Sequence, residues 1–89
     1  MDTERYRIAK NAIFEAFDDG ALLLKLDDLT ITELNTSGRD ILSFTDGVND
    51  VRRVAHLLAA EYGIDTETAV RDVEELYQDL WEDGIVEKG

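Results

Sequence analysis

Apolar and polar positions alternate with a period of two in the first third of the chain and with a helical period after it. Residues 6–17 carry strand-favouring side chains at Tyr6, Ile8, Ile13, Phe14 and Phe17, after a frayed start at residues 1–5. Asp18-Asp19-Gly20 reads as a hairpin turn in which glycine supplies a positive φ. Residues 21–26 place Leu22, Leu24 and Leu26 on one face and Ala21, Leu23 and Lys25 on the other. Asp27-Asp28 makes a second short turn. Residues 29–34 form a third strand, with Leu29 and Ile31 on one face and Thr30 and Thr32 on the other. Leu34 breaks that parity, so a bulge or the strand's end is expected near Glu33. Three strands joined by short turns imply an antiparallel meander.

Residues 34–63 join this sheet to a helical half. Asn35, Thr36 and Ser37 can accept from the free N–H groups of a helix start. Ile41, Leu42 and Phe44 follow at helical spacing, and Asp46-Gly47 stops the helix. A second helix starts at Asn49 or Asp50, runs through Val51, Val54, Ala55, Leu58 and Tyr62, and ends at Gly63. Asp65 caps a third helix reaching about Asp83, roughly 27 Å long at 1.5 Å per residue. Its core stripe is Ala69, Val73, Leu76 and Leu80. Val70, Tyr77 and Trp81 lie beside that stripe, either packed on the sheet or tail or walling a groove. Asp72, Glu75, Asp79 and Asp83 line the other flank, and Ile85-Val86 form a tail able to fold back. The expectation is an α+β fold: a three-stranded antiparallel sheet followed by three helices, winged helix-turn-helix-like, in one domain over residues 1–89.

Charge narrows the partners. Nine basic and twenty-one acidic residues give a net charge of −12. Such a chain repels phosphate backbones and anionic lipid heads and attracts basic partners, or reflects a salt-adapted source. Ten acids but only one base, Arg71, lie between Glu61 and Glu87, which argues against a DNA-recognition helix. The longest apolar run, residues 21–24, is far short of the ~20 residues of a membrane span. There is no cysteine, and no signal peptide is visible, which together suit a cytoplasmic protein.

Catalytic chemistry is thin. The lone His56 falls away from the core stripe of its helix and reads as a solvated side chain. Ser37 and Ser43 have no histidine in a plausible constellation. Paired acids such as Glu74-Glu75 sit on a solvated face, and Asp18-Asp19 and Asp27-Asp28 lack calcium-loop spacing. No phosphate loop, dinucleotide fingerprint, metal site or cofactor motif is present. A binding module remains, because a small sheet has edges to which an extended peptide can add a strand.

The run ITELNTSGRDILSFTDGVNDVRRVAHLLAAEYG, followed by DVEELYQDLWEDGIVE, resembles the PqqD-like family of peptide-modification chaperones, also described as precursor-peptide recognition elements. Leu34-Asn35, Ile41-Leu42, Asp46-Gly47, Val51, Val54 and Asp83-Gly84-Ile85-Val86 carry the likeness, over about residues 12–87. It implies a non-enzymatic protein without a cofactor that binds the leader of a ribosomally made precursor peptide. The leader would be presented to a modifying enzyme, often a radical S-adenosylmethionine (radical SAM) protein. It would add beside the third strand, grouping Leu29, Thr30, Ile31, Thr32 and Glu33 with Asp72, Leu76, Asp79 and Leu80, and the acidic flank would favour a leader bearing lysine or arginine. Members devoted to pyrroloquinoline quinone usually carry proline and glutamate near the second turn, and many members of the family carry a basic residue before the glycine that ends helix three. This chain has no proline and has Asp83 there, so a sister pathway is an equal expectation. An acidic protein–protein adaptor and, less so, a nucleic-acid-binding regulator stay open as alternatives, and the open edge allows a homodimer by strand exchange.

Overall fold

The structure is a computed structural model describing residues 3–89. Its elements run β1 (Arg5–Ile8), β2 (Ala12–Phe17), β3 (Gly20–Lys25), β4 (Thr30–Leu34), α1 (Thr36–Ser43), β5 (Asp46–Asp50), α2 (Val51–Tyr62), α3 (Thr66–Glu82) and β6 (Val86–Lys88). Of the expected frayed start, Met1 and Asp2 lie outside the described residues, and Arg5 already opens β1.

The expected meander is present as the antiparallel sheet β2-β3-β4. Its register is regular: Phe14 faces Leu23, Leu23 faces Thr32, and Ala21 faces Leu34. No bulge occurs in β4. Leu34 ends the strand on the same face as Thr30 and Thr32, and that face turns inward, leaving Ile31 and Glu33 exposed outside. Leu29 belongs to the preceding turn rather than the strand, with φ +58°. The first hairpin turns on Asp18 and Asp19, and Gly20 is already paired in β3, opposite Phe17, without a positive φ. Its missing side chain matters for another reason: a Cβ there would overlap the Leu34 carbonyl oxygen as β4 leaves the sheet.

Residues 6–17 are two strands rather than one. Ala9 and Lys10 break the run, with the Ala9 N–H bonded to the Ile85 carbonyl (2.8 Å) and the Ala12 N–H bonded back to Ala9 (3.1 Å). The inward positions are Tyr6 and Ile8 before the break and Ala12 and Phe14 after it, all even-numbered, so the alternation passes through the break unmarked. β1 is the centre of a second antiparallel sheet, β5-β1-β6. The apolar tail thus folds back as a strand, with Ile8 opposite Val86 and Tyr6 opposite Lys88. β5 is the linker after α1, where Asp46 Oδ1 accepts from the Val48 and Asn49 N–H groups (2.9 and 2.8 Å). Those two bonds, Asn49 first, hold the Asp46 carboxyl below its ordinary pKa.

The helices are capped as their sequences require. Asn35, Asp50 and Asp65 side chains accept from the N–H groups of Gly38, Arg53 and Thr68 at 2.8–2.9 Å. α2 closes on Gly63 in the left-handed region. The core lies between α2, α3 and the inner sheet faces, with Leu23, Leu42, Val54, Leu58, Val73 and Ile85 at its centre. Tyr77 is buried within it. Its hydroxyl donates to Thr45 Oγ1 (2.6 Å), whose own hydroxyl donates to the Ile41 carbonyl (2.7 Å). Burial pushes the Tyr77 phenol up to about 12. Its ring stacks on Tyr6 with centroids 4.4 Å apart, and Trp81 meets the other side of Tyr6. Val70 is also buried, so Val70 and Tyr77 serve packing rather than a groove, while Trp81 stays 43% exposed beside Tyr6 with the Lys88 ammonium over its ring. Among the described residues no helix is long and apolar enough to cross a membrane.

Candidate peptide-binding cleft

β4 pairs with β3 on one side only, so its other edge carries backbone groups without a strand partner among the described residues. Beside that edge runs α3, and between the two lies a chain of open hollows. One beside the α1 start, about 320 Å³, is lined by Glu33, Leu34, Asn35, Ser37, Gly38 and Ile41 on one side and Asp72, Glu75, Leu76 and Asp79 on the other. The next, about 430 Å³, lies between Thr32, Glu33 and Leu34 and the α3 residues Leu76, Asp79, Leu80, Glu82 and Asp83. A third, about 220 Å³, continues to Thr30, Lys25 and Asp28.

The local sequence explains the cleft. β4 ends at Leu34, the Asn35 cap turns the chain at once, and α1 begins against the strand. Gly38 permits this, since a Cβ there would stand 3.1 Å from the Leu34 Cβ. On the far wall Leu76 is half-buried and gives the groove an apolar floor with Leu34 and Ile41. Arg39 braces the other end of the sheet, donating to the carbonyls of Phe17 and Asp18 (2.8 and 2.6 Å) and pairing with Asp40 at 2.9 Å. An apolar floor is therefore framed by acid. Glu33, Asp72, Glu75, Asp79 and Asp83 have no ion-pair partner among the described residues. They do not form a metal centre: among the described residues no three acidic or histidine side chains converge to hold an ion. His56 is exposed on α2, away from the cleft lining.

Of the residues expected from sequence, the cleft gathers Thr30, Thr32, Asp72, Leu76, Asp79 and Leu80, and Glu33 borders it from the edge of β4 although its strand position faces outward with Ile31. It does not gather the side chains of Leu29, in the turn, or Ile31, on the outer face. Leu34, Asn35, Ser37, Gly38, Ile41, Glu75, Glu82 and Asp83 line it as well. Leu34 was legible as the end of the third strand and Asn35, Ser37 and Ile41 as part of α1, while Gly38 carried no signal, because nothing in the pattern shows that α1 folds back against its own strand. Glu75 and Asp83 were visible as part of the acidic flank.

The fold matches two solved structures. One is TbiB1 in complex with the TbiA(beta) leader peptide, with TM-score 0.82 and 25% identity over 91% of this chain and 94% of that one. The other is lasso peptide synthetase B1 complexed with the leader peptide, with TM-score 0.81 and 24% identity over 93% and 98%. A sequence search of curated proteins gave no match. Residues 20–86, which hold β3, β4, all three helices and the whole cleft, match the family described as Coenzyme PQQ synthesis protein D (PqqD), and the chain belongs to that family.

Proposed function

We propose that the protein is a non-catalytic recognition element for the leader of a ribosomally made precursor peptide. The observation that carries this reading is the unpaired outer edge of β4 running beside the cleft under α3. An extended leader adds there as a fourth strand; its backbone meets the free N–H and C=O groups, and every second side chain enters a hollow. The two structures of like fold that carry leader peptides support the same reading. The protein then presents the leader to a modifying enzyme. The family resemblance favours a radical SAM partner in the pyrroloquinoline quinone pathway or a related one; the likeness to a lasso peptide synthetase B1 favours a synthetase partner equally. The same edge can pair with a second copy, in which case leader and dimer compete for it.

The test is a titration of the 15N-labelled protein with a synthetic leader from the precursor gene beside its own. Amide shifts should cluster at residues 30–34 and 72–83. Shifts confined to other residues would overturn the assignment.

A further inference from the structure

The opposite face of the same sheet is also unusual. Across β2-β3-β4 the register sets Ile13, Leu24 and Ile31 side by side, with Leu26 exposed in the turn that follows β3. Ile13, Leu24 and Ile31 share the outer face of the sheet, Leu24 half-buried between its two neighbours. Ile13 is 44% and Ile31 62% exposed, so no element of the described chain covers this face. A contiguous apolar stripe of this kind is uncommon on a protein that works alone.

Leu29 gives a second, independent sign. It sits at the end of the stripe with φ +58° and is 68% exposed. A leucine in the left-handed region is strained, and glycine or asparagine would hold the same turn with less cost. Neither burial nor turn geometry explains leucine here. Flanking the stripe, Glu15 and Glu33 stand on either side of Leu22 without ion-pair partners among the described residues, and Asp27 and Asp28 close its turn end.

We infer that this outer face is a second docking surface, for a protein whose contact patch is apolar at its centre and rimmed by lysine or arginine. A second copy of the chain fits badly, since it would press Glu15 and Glu33 against their own equivalents in a molecule of net charge −12. The surface lies on the reverse of the sheet that forms the cleft, so both can be occupied at once. The inference does not rest on the leader reading, and its test uses no leader.

The probe is a 14-residue helical peptide of leucine and lysine, with leucine along one face and lysine on both flanks; its control has the same composition scrambled. On titration of the 15N-labelled protein, amide shifts should centre on residues 13, 15, 22 and 24. Ile13→Glu should weaken the probe at least tenfold, and Asp79→Asn should change it less than twofold. Leu29→Gly should raise the melting temperature yet weaken the probe at least threefold, which a purely structural leucine would not do. Shifts centred on α3, an equally tight scrambled control, or unchanged affinity in Leu29→Gly would each overturn the proposal. Self-association of the protein alone, abolished by Ile13→Glu, would overturn the choice of a foreign partner.

Discussion

The Tyr77 hydroxyl donates to Thr45 Oγ1 across 2.6 Å, inside the core, and so ties the middle of α3 to the end of α1. Because Thr45 passes its own proton to Ile41, both hydroxyls are satisfied and no buried side-chain polar atom among the described residues lacks a partner. This bond fixes the distance between the wall of the cleft and the helix at its end.

Tyr77→Phe should cost about 1 kcal/mol in denaturant unfolding, the usual net value of one such bond. Burial raises the phenol to about 12, from the ordinary tyrosine value near 10. The protonated form is thus favoured by folding: its contribution is complete below pH 10 and is lost as pH rises towards 12. Alkaline titration of stability should show that loss in the wild type and a shallower one in Tyr77→Phe.

Asp65 caps α3 through the Thr68 N–H, and that bond lowers its carboxyl pKa. Asp65→Ala should cost about 1 kcal/mol. A lowered carboxyl stabilises above its unfolded pKa and loses that effect as pH falls through the folded one. The difference between wild type and Asp65→Ala should therefore shrink below about pH 4. Asp46 and Glu4 act in the same direction, the latter lowered to about 2 chiefly by its hydrogen bond with Lys88.

Adjacent residues of an antiparallel strand point their N–H groups to opposite sides. Of Thr32→Pro and Glu33→Pro, one removes a bond to β3 and the other removes a group from the free edge. The first should lower the melting temperature strongly. The second should leave it within a few degrees and weaken leader binding tenfold or more by calorimetry.

Asp79 lines two neighbouring hollows and has no cationic partner among the described residues. Asp79→Asn should weaken a lysine- or arginine-bearing leader about two- to fivefold and flatten its salt dependence. Stability should move by less than about 0.5 kcal/mol.

Much of this was readable in the residues. Short turns at Asp18-Asp19 and Asp27-Asp28 between alternating runs placed the meander, and Asn35, Asp50 and Asp65 marked the helix starts. The open edge followed from the strand count. The second sheet did not follow. β5 has the composition of a loop, Asp-Gly-Val-Asn-Asp, and becomes a strand only because β1 lies beside it. The turn between β1 and β2 leaves Ile8 and Ala12 in phase, so periodicity had no break to show. In β4 the apolar side chain of Ile31 faces solvent while Thr32 is half-buried on the inner face, the reverse of what hydrophobicity alone would choose. Leu34, not Ile31, marks the inner face.

The pairing of Tyr6 with Lys88 bears on the order in which the molecule assembles. Strands β2, β3 and β4 meet neighbours only a few residues away, whereas β1 waits for partners more than forty and about eighty positions downstream. Loop closure of that span is slow compared with hairpin formation. A nascent chain emerging from the ribosome therefore has the open rim of β4 shaped before the helix that walls it exists, and exchange of amide hydrogens should find the β1–β6 ladder the last to gain protection.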